Sequence, residues 1–232
     1  MVGRVTCLYS GGKDSTYALH WAFLQGFEVP CLVVLRPRTA DSWMFHRPCI
    51  DLTRLQARAL GLPLIFRETS GVKEEELEDL KEALREAARE YGVRGVVAGA
   101  LLSDYQRMRI SLVCEELGLK SYTPIWRRDQ ESYMRELVRS GFKVMVVSVS
   151  CYGLPTSLVG KVLEEQLVED IIARARKYGF NPAFEGGEAE TLVVDAPLFK
   201  YRLRVNGRVV RTSEFEAHLE VREARLEPKH SA

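Results

Sequence analysis

The sequence predicts an α/β protein in two parts: a parallel sheet covered by helices over residues 1–124, then a smaller α+β domain over residues 125–232. Three observations predict this. Apolar strand-like runs alternate with helical patterns through the first half, which is how a parallel sheet with both faces covered is encoded. Three polar loops follow apolar runs, at the carboxyl ends where such sheets bind ligands. After about Thr123 the alternation loosens, with no low-complexity linker between the parts.

In order, "RVTCLYS" reads as a first strand, and a helix follows over residues 15–25 with Ala18, Leu19, Ala22 and Phe23 on one face. "VPCLVVL" is a second strand. The polar stretch "RPRTADSWMFHRP" leads into the helix "DLTRLQARALG", with Asp51 as N-cap and Gly61 as its stop. "LPLIFRE" is a third strand. Residues 73–91 form a long helix whose stripe is Leu77, Leu80, Leu84, Ala87 and Tyr91. On its wet face Glu78–Lys81, Glu82–Arg85 and Glu86–Arg89 are spaced to pair, so this charge run is solvated surface. "VRGVVAGA" is a fourth strand, with a helix over 104–117 after it. In the second part a helix (130–139), a strand (143–150), a helix (164–178), the segment "FEGGEAETLVVDAPLFKYRLRV" and two closing strand-like runs are expected.

Bulk properties bound the function. With 232 residues, 46% hydrophobic and 28% charged, the chain can bury its own core, and a net charge of +1 invites neither nucleic acid nor an anionic membrane globally. No apolar run reaches the roughly 18–20 residues of a membrane span, and the N-terminus lacks a signal-peptide core, so a cytoplasmic protein is expected. The cysteines, Cys7, Cys31, Cys49, Cys114 and Cys151, form no CxxC pair and no cluster with histidine, which argues against a zinc site or a disulfide framework. Cys7 and Cys31 lie in apolar strands and read as core residues.

The first strand runs into Ser10-Gly11-Gly12-Lys13-Asp14-Ser15 and then directly into a helix. Glycine lets backbone approach a ligand closely, and a helix N-terminus attracts anions, so the loop is suited to phosphate. It is neither a Walker A loop, which needs GxxxxGK[ST], nor the dinucleotide-binding GxGxxG. Amides of Gly11, Gly12 and the helix start, with Lys13, are placed to hold phosphate. A capped glycine turn is the purely structural alternative. The second constellation is "GALLSDYQRMR", residues 99–109. Stepping back from Ile110, Val113, Cys114 and Leu117 puts Gln106, Arg107 and Ser103 on the inward stripe of that helix, where a pocket wall would need polar groups. Ser103 and Gln106 also satisfy a capping box, which leaves Arg107 unexplained. The third is "EGGEAET", residues 185–191, a loop dense in carboxylates. Composition alone does not separate a solvated turn from a site there.

SGGKDS resembles the pyrophosphate-binding loop of the PP-loop ATP pyrophosphatases, which cleave ATP between its α and β phosphates. Together SGGKDS, GALLSDYQRMR and EGGEAET, in this order across nearly the whole chain, resemble the diphthine–ammonia ligase family. "DSWMFHR", "EDLKEAL", "YTPIWRRD" and "CYGL" fall where that family has similar segments. The resemblance implies a HUP-type, Rossmann-like ATP domain and a C-terminal domain for the diphthine end, in the short archaeal-type form. It implies use of ATP, Mg²⁺ and ammonium to convert diphthine on translation elongation factor 2 into diphthamide. No membrane or direct nucleic-acid partner is implied, and a homodimer is compatible with it. Carried over by residue, Ser10, Gly11, Gly12, Lys13, Asp14 and Ser15 bind ATP, with Asp14 as the Mg²⁺ ligand. Ser103, Tyr105, Gln106 and Arg107 form a second wall, and Glu185, Gly186, Gly187, Glu188, Glu190 and Thr191 bind substrate. Lys13, Arg107, Glu185 and Glu188 carry catalysis, the glutamates by attracting the trimethylammonium group or by taking a proton from ammonium. The chain departs from the family pattern at Trp43 and Phe45, where tyrosines are common, at Ser111, where glutamate is typical, and at Ala189, where an aromatic is usual. Two rival readings remain: a paralogous amide ligase acting on a small carboxylate, and an ATP-sensing module without turnover.

Overall fold

The computed structural model describes residues 3–38, 49–70 and 75–229. The chain divides into two compact units, 1–126 and 127–232.

The first unit contains strands β1 (Val5–Leu8), β2 (Leu32–Pro37), β3 (Leu64–Thr69), β4 (Gly95–Ala98) and β5 (Lys120–Tyr122). They pair in parallel in the order β3-β2-β1-β4-β5. The order reverses between β1 and β4, where Leu8 and Ala98 lie in register. That point is where open α/β sheets bind ligands. The helices are α1 (Lys13–Leu24), α2 (Thr53–Leu60), α3 (Glu75–Tyr91) and α4 (Asp104–Glu116). Val33, Leu35, Ile65, Val96 and Ala98 of the sheet pack with Leu80, Leu84 and Ala87 of α3 and Ile110, Val113 and Cys114 of α4. The predicted α3 stripe is thus the buried one. Ala18, Leu19 and Ala22 of α1 are buried outside that cluster, where α1 packs against β1 and β4.

The second unit is built from α5 (Gln130–Arg139), β6 (Lys143–Ser150), α6 (Glu165–Tyr178), β7 (Ala189–Asp195), β8 (Tyr201–Arg211) and β9 (Glu216–Pro228). Its strands form an antiparallel sheet in the order β7-β6-β9-β8. Arg135 on α5 reaches Glu169 on α6 at 2.6 and 2.8 Å, and Arg176 on α6 reaches Glu131 on α5 at 2.8 Å, which clips the helices together.

Several local expectations are corrected. The sheet has a fifth strand, β5, three residues long and without an apolar run to announce it. Helix α1 begins at Lys13, not at residue 15, because Gly12 rather than a side chain closes its N-terminus. Asp51 does not cap α2: it lies in a single 3₁₀ turn (Ile50–Leu52), and Leu52 takes the cap position. Gly61 does stop α2, in the left-handed conformation with φ 71°. On α3 the Glu82–Arg85 pair forms at 2.7 Å. Glu86 instead takes Arg67 from β3 at 2.6 Å, and Arg89 takes Glu90. The segment "DSWMFHR", with Trp43 and Phe45, lies outside the described residues.

Candidate functional site

SGGKDS leaves β1 and the segment 99–109 leaves β4, so both constellations stand on neighbouring strands at the switch point. The contact between them is close. A Cβ on Gly99 would sit 2.5 Å from the carbonyl carbon of Asp14 and 2.6 Å from the amide nitrogen of Ser15. Only glycine lets the end of β4 meet the first turn of α1 at that range.

The loop is tied from several sides. The Ser10 amide donates to Ser15 Oγ at 3.1 Å, and Thr16 Oγ1 donates to the Gly12 carbonyl at 2.8 Å. Gly11 is left-handed at φ 79°, and its carbonyl accepts from Gln56 Nε2 at 2.9 Å. Gln56 is fully buried on α2, and a Cβ on Gly11 would collide with its amide. Gln56 was not among the expected site residues. Its signal was legible: a polar side chain on the buried face of an amphipathic helix, beside Thr53, Ala57 and Leu60.

No side chain caps α1, so its first turn presents backbone donors and the positive end of the helix dipole without an internal carboxylate or hydroxyl at the cap position. Lys13, expected to face solvent or phosphate, is 3% exposed, with Nζ 2.7 Å from Asp14 Oδ2. Asp14 keeps about a quarter of its side-chain surface, 24%. Cation, carboxylate and helix N-terminus therefore occupy one spot, a donor set that fits a metal-screened polyphosphate.

On α4, Ser103 is the N-cap and accepts from the Gln106 amide at 3.2 Å, which is the serine half of the capping box. The inward stripe expected for Arg107 is only partly realised. Arg107 is half-buried, stacks its guanidinium 4.6 Å over Trp126, and approaches Asp104 at 3.5 Å. Its Nε is shielded from solvent with no partner among the described residues. Arg109 stacks over Tyr105 at 3.6 Å, and Tyr105 in turn packs on the core beneath.

Of the loop expected over residues 185–191, residues 185–188 form a turn, while Ala189, Glu190 and Thr191 already belong to β7. Glu188 folds back over this turn. Its Oε1 accepts from the Asn181 amide and its Oε2 from the Gly186 amide, each at 2.8 Å. Its backbone carbonyl accepts from Ser150 N at 2.9 Å, and Ser150 Oγ donates to the Gly187 carbonyl at 2.7 Å. A carboxylate committed to two backbone donors shapes the loop. All four residues of the turn are partly or fully exposed, Gly186 and Gly187 the most.

Burial raises every cysteine thiol, Cys31 and Cys49 to about 11 and Cys114 to about 12, so none is a ready thiolate at neutral pH. Among the described residues no helix is long and apolar enough to cross a membrane.

The family model described as the diphthamide synthase N-terminal domain matches residues 3–121, and that of the diphthamide synthase C-terminal domain matches residues 129–226. The chain is 35% identical over 226 residues to the diphthine–ammonia ligase of Homo sapiens, covering 89% of this chain and 84% of that one. It is 36% identical over 221 residues to the diphthine–ammonia ligase of Danio rerio, covering 88% and 86%. The diphthine–ammonia ligase of Schizosaccharomyces pombe is 35% identical over 224 residues, which are 89% of this chain and 37% of the longer relative.

Proposed function

The chain belongs to the diphthine–ammonia ligase family, and from that premise we propose that it converts the diphthine carboxylate on translation elongation factor 2 to the amide, using ATP and ammonium and releasing AMP and pyrophosphate. The observation that carries this reading is the meeting of SGGKDS and the segment 99–109 at the β1/β4 switch point, in a chain matched over both family domains. The reaction requires activation because a carboxylate is a poor electrophile towards ammonia. ATP supplies the adenylyl group that makes the carboxylate oxygen a leaving group.

This chain's residues supply the rest. Lys13 and the first-turn amides of α1, set by Ser10, Gly11, Gly12 and Ser15, draw off the pyrophosphate charge. Asp14 would hold a Mg²⁺, which would screen the polyphosphate charge there. Ser103, Tyr105, Gln106 and Arg107 form the second wall, with Arg107 towards the developing charge. Gly186, Gly187 and Thr191 frame the substrate end, held in shape by Glu188. Glu185 and Glu190 are the carboxylates assigned to ammonium and its proton. The reaction takes place in the cytoplasm, where the elongation factor works.

The test is AMP and pyrophosphate formation with diphthine-bearing elongation factor 2, with and without ammonium, alongside the mass of the modified side chain. Nucleotide cleavage and an amide product that both require diphthine are expected. Amide formation with a small carboxylate alone would identify a paralogous ligase, and ATP bound but unchanged would identify a sensor.

A further inference from the structure

The end of β6 places three aromatic rings next to the 185–188 turn. Ser150, the last residue of β6, is hydrogen-bonded to Gly187 and Glu188 on one side and lies in register with Glu216 of β9 on the other. Tyr152 follows two residues later. Its ring stands 5.4 Å from Tyr178 at 85° and 5.2 Å from Phe215 at 78°. Tyr152 is 64% exposed and Phe215, in the turn between β8 and β9, is 39% exposed, so neither is a core residue. Two exposed rings at a right angle form an open corner with an aromatic face on one wall and a face or edge on the other.

Tyr178 backs this corner. A Cβ on Gly153 would lie 2.6 Å from its Cβ and Cγ, so that backbone presses against its base. The Lys177 ammonium sits 5.0 Å from its ring centre, and a cation is thus already drawn to this cluster. Charges of both signs border the corner: Glu188 lies close enough for its charge to help raise the Cys151 thiol, after burial, and Glu214 and Glu216 flank Phe215, while Arg174 donates to the Gly153 carbonyl at 3.2 Å and Arg211 to the carbonyls of Ser213 and Glu214 at 3.0 Å. Exposed aromatic faces select large, weakly hydrated cations, of which quaternary ammonium is the typical case.

We propose that Tyr152 and Phe215, backed by Tyr178, form a binding corner for a quaternary ammonium group, which on the ligase reading above is the trimethylammonium end of diphthine. Glu185 and Glu190 then serve ammonia and proton transfer, while the rings hold the fixed positive charge of the substrate.

The full chain is titrated with choline and with its uncharged tert-butyl isostere, followed by tyrosine fluorescence, which compares charge at constant shape. Choline is expected to bind at least about threefold tighter. Tyr152→Leu and Phe215→Leu keep apolar bulk and remove the ring; each should erase that preference and raise KM for the diphthine-bearing factor several-fold, while affinity for a non-hydrolysable ATP analogue stays at the wild-type value. Equal binding of the two probes, or wild-type KM in both leucine variants, would overturn the corner and leave the ligase reading standing. Choline preference in a wild-type protein that forms no AMP with diphthine would sink the ligase reading and keep the corner.

Discussion

Two glycine-containing turns carry the proposed chemistry, and they are held in opposite ways. Residues 10–15 are braced from outside: Gln56 grips Gly11 from α2, and the end of β4 presses on Asp14 and Ser15 through Gly99. Residues 185–188 are braced largely from within, by the Glu188 carboxylate on the amides of Asn181 and Gly186, with Ser150 fixing the backbone. The difference follows from charge. A turn meant for polyphosphate is helped by exposed amides, and a carboxylate on them would occupy the anion's place. A turn meant for a cationic or ammonia-bearing end tolerates a carboxylate among its own donors. The comparison predicts that damage to the first turn comes through its neighbours, and damage to the second through its own side chain.

The largest effect is expected at Lys13. Lys13→Ala should reduce AMP formation by about a thousandfold, since it removes a side-chain cation at the helix start. Its stability cost should stay below the ~3–5 kcal/mol of a fully buried pair, because Asp14 keeps 24% of its surface in solvent. Thermal melting and an AMP assay measure both. A folded variant with wild-type turnover would remove phosphate from this turn. Next in size is Glu188→Gln, which leaves an amide where two backbone donors need two acceptors. One hydrogen bond is lost or inverted, so stability should fall by about 1–3 kcal/mol. Amide formation should fall by roughly a hundredfold as the turn shifts, with ATP-analogue affinity within a few-fold of wild type. Activity lost with an unchanged melting temperature would restore Glu188 as a proton acceptor.

How much of this was legible beforehand depends on what each feature rests on. The alternation of apolar runs and helices announces β1 to β4 because each is buried by residues of its own run. Strand β5 is invisible to that reading: "KSY" has no apolar run and owes its conformation to pairing with β4. The three constellations were legible as local strings, and the sheet order brings two of them together at one rim. The roles of single side chains were less legible. Lys13 is legible as a phosphate-loop cation, but its burial on the first turn of α1 is not. Glu188 reads as a free carboxylate because nothing in the string tells that Asn181 and Gly186 turn their amides towards it. Hydrogen bonds across a turn are set by its φ angles, here Phe184 at 65° and Gly187 at 81°, which composition does not encode.

The outside brace can be tested directly. Gln56→Leu is close in volume and removes the donor to the Gly11 carbonyl. The turn should loosen, and affinity for a non-hydrolysable ATP analogue should drop by about tenfold, the equivalent of one buried hydrogen bond. Binding of the diphthine-bearing factor should not change. If instead nucleotide affinity holds while the protein merely melts earlier, Gln56 is a packing residue and the first turn keeps its own shape.

The smallest effect is expected at Arg107, and it bears on whether the second wall belongs with the outside-braced turn. The structure gives this side chain two occupations that need no ligand, a stack on Trp126 at 4.6 Å and an approach to Asp104 at 3.5 Å, each ordinary on a protein surface. It also gives one feature that these do not explain, an Nε shielded from water without a partner among the described residues. Arg107→Lys separates the two. Lysine keeps the charge and can still approach Asp104, but has no planar fork for two phosphate oxygens and stacks more weakly. If the stack is all that matters, stability should fall by about 0.5–1 kcal/mol and turnover should stay at wild type. If the fork meets phosphate, kcat/KM for ATP should fall by roughly tenfold while the melting temperature moves little. We expect the second pattern, and a lysine variant that melts earlier but turns over normally would detach α4 from the nucleotide and leave the first turn to hold it alone.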